Sequence, residues 1–236
     1  MIELKEISKR YGDTVVFDRF SMTVESGKIL AVVGNSGSGK TTLLNILCGL
    51  IEADGKVFSD ETGFSYIFQN TTLVPSLTVK GNLDLVLKHK IPDRVTREKL
   101  IGEMLQSVEL EALADRYPLT LSGGQAQRVS MARAFAYPAS AILMDEPFKG
   151  LDLRLKAKLI ASFHALWEKE RRTVVFVTHE IEEALLLADR IVVLGGAPAR
   201  IIGDFEPGVD RASRIAGDPR FSQLRAEIYD RFYREN

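Results

Sequence analysis

A glycine-rich loop at residues 34–41 constrains the fold of this chain more than any other feature. The loop reads Gly-Asn-Ser-Gly-Ser-Gly-Lys-Thr, follows the apolar run of residues 29–33 and precedes a segment in which leucines recur at helical spacing. Glycines at these positions let successive backbone N–H groups turn inward around an anion, and the N-terminus of the following helix adds positive potential. The pattern therefore predicts a buried strand, a phosphate-binding loop and a helix in that order. A loop that merely caps the helix is the alternative.

Lysine and threonine at the end of the loop complete this phosphate-binding pattern. We expect the Lys40 side chain to reach the β- and γ-phosphates of a nucleotide and the Thr41 hydroxyl to bind Mg²⁺. The predicted nucleotide-binding residues of this region are Gly34, Asn35, Ser36, Gly37, Ser38, Gly39, Lys40, Thr41 and Thr42.

Short apolar runs alternate with helical segments along the rest of the chain. The runs at residues 141–144, 173–177 and 191–194 suit strands that are buried on both faces. This alternation predicts an α/β fold with a mostly parallel sheet. Period-two alternation over residues 2–24 predicts further strands, and residues 71–138 have the pattern of a helical subdomain inserted in a single domain of residues 1–236.

Composition excludes several classes of protein. Lys and Arg number 31 against 32 Asp and Glu, so a net charge of −1 argues against a strongly basic nucleic-acid binder. Cys48 is the only cysteine, which excludes an internal disulfide framework. The apolar runs are far shorter than the roughly 20 residues that a membrane-spanning helix needs, and no targeting segment is visible.

Two acidic residues end the apolar run at residues 141–144. Asp145, at the carboxyl end of this predicted strand, is placed to bind Mg²⁺ beside the phosphate loop. Glu146 is then placed to polarise an attacking water molecule. The alternative for Glu146 is a solvated acid at a strand end.

A second anion site is predicted at Leu121-Ser122-Gly123-Gly124-Gln125. Ser122 and Gln125 have the spacing of a capping box, which opens a helix whose first N–H groups are free. Gly123 and Gly124 carry no side chain that could block the approach of a ligand to those groups. A plain helix start is the alternative.

Together these motifs make the chain resemble the ATP-binding subunit of an ABC transporter over nearly its whole length. In the order of that family, residues 34–41 match the Walker A loop, residues 121–125 the signature motif and residues 142–146 Walker B. The other matches are Tyr11 and Val16 beside the adenine, Gln69 of the Q-loop, Gly150-Leu151-Asp152 of the D-loop and the switch histidine His179.

The resemblance implies a P-loop NTPase core with a mostly parallel sheet, an antiparallel β subdomain and an inserted α-helical subdomain. It implies ATP and Mg²⁺ as cofactors and two copies paired head to tail, so that the signature motif of one copy closes on the γ-phosphate held by the other. Two composite ATP sites result. The implied catalytic residues are Lys40, Gln69, Glu146 and His179, the metal ligands are Thr41, Gln69 and Asp145, and the signature contributes Ser122, Gly123, Gly124 and Gln125.

Segments 146–148 and 178–184 are similar to bacterial importers, in particular to those for nitrate, sulfonate, taurine and thiamine precursors. The implied partners are integral-membrane permease subunits, docked near Gln69 and the helical subdomain, and a separate substrate-binding protein. Residues Leu73, Val74, Pro75 and Leu77 are expected to contribute to that docking groove. The implied location is peripheral, at the cytoplasmic face of the inner membrane, with no nucleic-acid partner.

Other functions stay open at this point. A soluble ABC-type ATPase acting on nucleic acid or ribosomes is one alternative, a nucleotide-gated interaction module is a second, and an export ATPase is a weaker variant.

Two departures from the family pattern also bear on function. Lys149 stands beside the D-loop where a small residue is usual, and we expect it to place a charge near the dimer interface. The connection over residues 49–57 is short, which affects the adenine side of the site.

Overall fold

The computed structural model describes residues 1–234, which form nine strands and seven α-helices. The strands are β1 Ile2–Tyr11, β2 Thr14–Val24, β3 Ile29–Gly34, β4 Asp54–Ser59, β5 Phe64–Ile67, β6 Ala141–Asp145, β7 Thr173–Thr178, β8 Arg190–Gly195 and β9 Arg200–Phe205. The helices are α1 Lys40–Leu47, α2 Val79–Leu87, α3 Arg94–Ser107, α4 Gly123–Ala136, α5 Leu153–Glu170, α6 Ile181–Leu187 and α7 Ser222–Arg234. None of the helices within residues 1–234 is both long enough and apolar enough to cross a membrane.

The main sheet has six strands in the order β5-β6-β7-β3-β8-β9. The first five run parallel, and β9 pairs antiparallel with β8. Every residue of β3, β6 and β7 is buried, because helices or the second sheet cover both faces of the main sheet. Since parallel strands end at the same edge, the segments that follow β3, β6 and β7 meet there, and this edge carries the candidate site.

A second sheet has the order β2-β1-β4 and is antiparallel throughout. Its inward side chains, among them Ile2, Leu4 and Phe17, form one core with Leu43 and Leu44 of α1. The expected antiparallel subdomain, packed on a mostly parallel sheet, is thereby confirmed.

Three helices, α2, α3 and α4, lie between β5 and β6, and α4 packs against both of the others. Buried apolar residues of these helices join the core on which α5 packs, where the Phe135 and Phe163 rings meet edge to face at 5.7 Å. The inserted helical subdomain of the predicted fold is present. Its limits at residues 71 and 138 stay a prediction.

The structure differs from the sequence-based expectations at a few element ends and at one strand. The first helix ends at Leu47, although leucines continue at helical spacing to Leu50, since Gly49 has a left-handed φ of 71°. Strand β9 was not predicted, because Gly203 and Asp204 interrupt its short apolar run. It exists because β8 offers a free edge for antiparallel pairing.

Candidate functional site

The phosphate-binding loop follows β3 and wraps around the start of α1. Gly37 and Gly39 have left-handed φ angles of 84° and 87°, which favour glycine. A Cβ atom on Gly39 would lie 2.8 Å from Val16 Cγ1, so this position must stay without a side chain. Gly37 faces open space, and Ser38 Oγ is buried without a hydrogen-bond partner among residues 1–234. An open backbone turn with an unpaired buried hydroxyl fits a phosphate group.

Lys40 lies inside this loop. Its Nζ donates hydrogen bonds to the carbonyl oxygens of Gly34 and Asn35, both at 2.7 Å. Burial lowers the pKa of Lys40, although Glu146 and Asp145 act in the opposite direction. The ammonium is thus held by the loop backbone at the position where a nucleotide phosphate is expected.

The residues predicted to bind Mg²⁺ meet at the carboxyl ends of β3 and β6. Thr41 Oγ1 donates a hydrogen bond to Asp145 Oδ2 at 2.8 Å, and Asp145 is buried. Burial raises the pKa of Asp145, and the hydrogen bond from Thr41 opposes that rise. Hydroxyl and carboxylate oxygens are the donors that Mg²⁺ prefers, with water and phosphate filling its other positions. Residues 1–234 hold no cluster of three or more His, Cys, Asp or Glu side chains fit for a metal.

Glu146 follows Asp145 in a left-handed conformation, with φ of 44°. Its backbone N–H donates to the Val177 carbonyl at 3.0 Å, which ties the turn to β7. The His179 Nδ1 atom lies 3.3 Å from Oε1, and the Lys149 Nζ atom lies 2.5 Å from Oε2. Burial raises the pKa of Glu146, but the two neighbouring bases outweigh that effect and the net change is downward. The carboxylate therefore lies between two nitrogen atoms, one close to each of its oxygens.

A cleft of about 310 Å³ joins most of the predicted nucleotide-binding residues. Gln69 lines it from the segment that follows β5. Its lining residues are Tyr11, Val16, Ser36, Gly37, Gly39, Lys40, Thr41, Thr42, Gln69, Glu146 and Lys149. Tyr11 is half exposed at the end of β1, and the Lys9 ammonium lies over its ring, 5.2 Å from the ring centroid.

The predicted signature motif begins α4. Ser122 Oγ accepts from the Gln125 N–H at 3.3 Å, and Gln125 Oε1 accepts from the Ser122 N–H at 2.8 Å. This confirms the capping box. Within residues 1–234, none of the four signature residues lines the cleft around Lys40.

The two signature glycines differ in their surroundings. A Cβ atom on Gly123 would meet nothing within 4 Å. One on Gly124 would lie 2.2 Å from Leu155 Cδ2 of α5. The space beside Gly123 is therefore open, and its contact with a ligand stays a prediction, whereas Gly124 is required by packing within the subunit.

The structure adds functional candidates that the sequence reasoning did not find. Lys149 was expected at the dimer interface, and its contact with Glu146 was missed, although opposite charges three residues apart were a usable signal. Lys156 of α5 contacts Glu180 and Glu183 at 2.6 and 2.9 Å, next to His179. No local sequence pattern joins Lys156 to residues more than 20 positions away.

Comparison with known proteins decides the family. Residues 17–149 match the family model described as ABC transporter. The chain belongs to the ABC transporter family. Its members with this domain are ATPases, and ATP binding and hydrolysis follow for this chain.

Relatives of this ABC ATPase match it over most of its length. It is similar to the aliphatic sulfonates import ATP-binding protein SsuB of Granulibacter bethesdensis, with 39% identity over 97% of this chain and 92% of the relative. It is also similar to the nitrate import ATP-binding protein NrtD of Synechococcus elongatus, with 36% identity over 94% and 86%. A dimeric post-hydrolysis structure of the ATP-binding cassette MJ0796 bound to ADP and Pi superimposes with a TM-score of 0.78 at 31% identity, covering 89% of this chain and all of the other. These matches confirm the predicted family and fold.

Proposed function

We propose that this ABC ATPase powers a bacterial importer as a head-to-tail dimer with two composite Mg·ATP sites. The observation that carries the proposal is the meeting of the Thr41–Asp145 pair and the Glu146–His179 pair at the edge of one cleft. Relatives named import ATP-binding proteins support the direction of transport. The dimeric cassette structures support the pairing of two copies.

In the proposed mechanism, the phosphate loop and Lys40 bind the β- and γ-phosphates and orient them. Thr41 and Asp145, aided by Gln69, are the residues that would hold Mg²⁺, which would supply positive charge to offset that of the phosphate oxygens. Glu146 accepts a proton from water as the water oxygen bonds to the γ-phosphorus and the bond to the ADP oxygen breaks. His179 holds the Glu146 carboxylate and donates to the γ-phosphate.

The partner subunit completes the site in this proposal. Its capped α4 presents Gly123 and the free N–H groups behind Ser122 to the γ-phosphate. Helix N-termini stabilise such negative charge, and this stabilisation counts most where the charge develops during phosphoryl transfer. Because the subunit's own signature residues do not line its cleft, a second copy is the natural source of this contact.

Association with the membrane is assigned to permease subunits that dock between Gln69 and the helical subdomain. Pro75 is exposed there, whereas Leu73 is buried and belongs to the core. A groove of about 670 Å³ between α2 and α3 lies beside this surface, with charged residues such as Lys80 and Asp84 in its lining. The proposed location is peripheral at the cytoplasmic face of the inner membrane, and a separate substrate-binding protein delivers the cargo.

The test is association of the Glu146→Gln protein, measured by size-exclusion chromatography with light scattering. Blocked hydrolysis is expected to trap the closed state, giving a dimer with Mg·ATP and a monomer without it. Glu227→Gln, which removes one exposed carboxylate from α7, is the matched control and should hydrolyse ATP like the unmodified protein. A monomer under both conditions, or undiminished hydrolysis by Glu146→Gln, would contradict the proposal.

A further inference from the structure

The Glu146 carboxylate is occupied at both oxygens by side chains of its own subunit. Lys149 Nζ lies 2.5 Å from Oε2, and His179 Nδ1 lies 3.3 Å from Oε1. The Glu146 side chain is only 10% exposed, whereas Lys149 is 45% exposed and reaches it from the solvent side. The contact with Lys149 is a close ion pair rather than an aligned hydrogen bond, since no hydrogen bond of good geometry reaches Oε2. Because Lys149 is half exposed, its ammonium can leave this pair for solvent, and His179 then remains beside the carboxylate.

The local backbone places Lys149 over Glu146. After the left-handed residue Glu146, the Lys149 N–H donates to the Glu146 carbonyl at 3.2 Å and closes a tight turn. Gly150 then turns the chain away with φ of 73°. Because the turn sets the two side chains on the same side, the ion pair needs little further ordering of the lysine.

Lys149 also lines the cleft that holds Lys40, Thr41 and Gln69. The two lysines of this cleft are held differently. Lys40 is buried and hydrogen-bonded to loop carbonyls, while Lys149 is ion-paired with the carboxylate assigned to the attacking water. An ammonium on that carboxylate competes with the water for the same oxygen and draws electron density away from it.

We propose that Lys149 is a positioning residue that restrains Glu146 in the open subunit and slows ATP hydrolysis until closure on a second copy draws the lysine away. This inference rests on the proposed role of Glu146. The restraint therefore acts on turnover and leaves the binding of ATP unchanged.

The experiment compares steady-state ATP hydrolysis by the isolated subunit and its variants. Lys149→Met keeps the length of the side chain and removes its charge, Lys149→Arg keeps the charge, and Lys158→Met removes a charge from an exposed position on α5 as the matched control. We expect Lys149→Met to raise kcat about three- to sixfold with KM for ATP unchanged, as fits the loss of one half-exposed ion pair. Lys149→Arg and Lys158→Met should behave like the unmodified protein.

A Glu146→Gln background separates this inference from the proposed function. Glu146→Gln and the double variant with Lys149→Met should both be inactive, which shows that the gain passes through Glu146. Activity retained by Glu146→Gln would refute the role of Glu146 itself. If Glu146→Gln is inactive but the kcat of Lys149→Met is unchanged or lower, the proposed restraint is wrong. A lower kcat together with a higher KM for ATP would instead make Lys149 a phosphate ligand. Lys149→Gln serves in its place should the Met variant fail to fold.

Discussion

Removal of the Lys156 charge is expected to destabilise the segment that carries His179. Lys156 Nζ contacts Glu180 at 2.6 Å and Glu183 at 2.9 Å, and the Lys156 side chain is 14% exposed. Glu183 is 3% exposed and also accepts a hydrogen bond from Thr178 Oγ1 at 2.6 Å. In Lys156→Met, Glu183 keeps the hydrogen bond from the Thr178 hydroxyl but loses its positively charged partner. An ionised carboxylate is then left buried without a counter-charge.

The cost follows from that burial. Breaking a buried ion pair from one side costs about 3–5 kcal/mol, and we expect the lower end, because Lys156 shares its charge with Glu180, which is partly exposed. For a chain of this size, about 3 kcal/mol corresponds to a fall in Tm of about 6–12 °C. Lys156→Arg should retain most of the stability, and adding Glu183→Gln to Lys156→Met should recover part of the loss.

The loss should also depend on pH. Burial raises the pKa of Glu183 above its ordinary value of 4.5, although Lys156 and Thr178 oppose the rise. The folded state then binds the proton more tightly than the unfolded state, so stability falls as pH rises above 4.5. Without Lys156, the pH range over which Glu183 lowers stability extends to higher pH. The loss of stability in Lys156→Met should therefore grow between pH 5 and pH 8.

Thermal unfolding followed by circular dichroism at several pH values tests this reasoning. The control is Lys158→Met, which removes an exposed charge from the same helix. Equal Tm values for the two variants at pH 8, or a deficit that does not shrink toward pH 5, would refute the account of a buried pair.

Four further predictions concern the nucleotide site. Ser122→Ala removes the capping box and should cost about 1 kcal/mol in thermal unfolding. Gly124→Ala should lower stability by about 1–2 kcal/mol because its Cβ meets a leucine of α5, whereas Gly123→Ala should leave Tm unchanged or higher. Thr41→Ala should weaken nucleotide binding with Mg²⁺ more than without it in calorimetry. Lys149→Ser should strengthen ATP-induced dimerisation in light scattering, and an unchanged dimer fraction would disprove an interface role for that charge.

Several features of this protein were predictable because they depend on residues close together in the chain. The strand, loop and helix around residues 34–41 follow from glycine conformation and apolar spacing. The Ser122–Gln125 capping box is a contact between residues three apart. The alternation of buried runs with helical segments predicts the parallel sheet, and the carboxyl ends of its strands then predict where Asp145 and His179 lie.

Other features were decided only by tertiary structure. Strand β9 forms because an edge of β8 is available, not because its own sequence has a strong strand pattern. The requirement for glycine at position 124 comes from Leu155, which lies 31 positions later on another helix.

The electrostatic environment of Glu146 likewise depends on how separate elements pack. His179 comes from the end of β7, and Lys149 reaches Glu146 only because the turn after β6 is left-handed. Lys156 meets Glu183 because α5 lies beside the segment that follows β7. Motifs and apolar spacing were thus enough to predict the family, the fold and the residue types of the site. Tertiary packing decided which charges touch, because contact energies depend on distances that no local pattern contains.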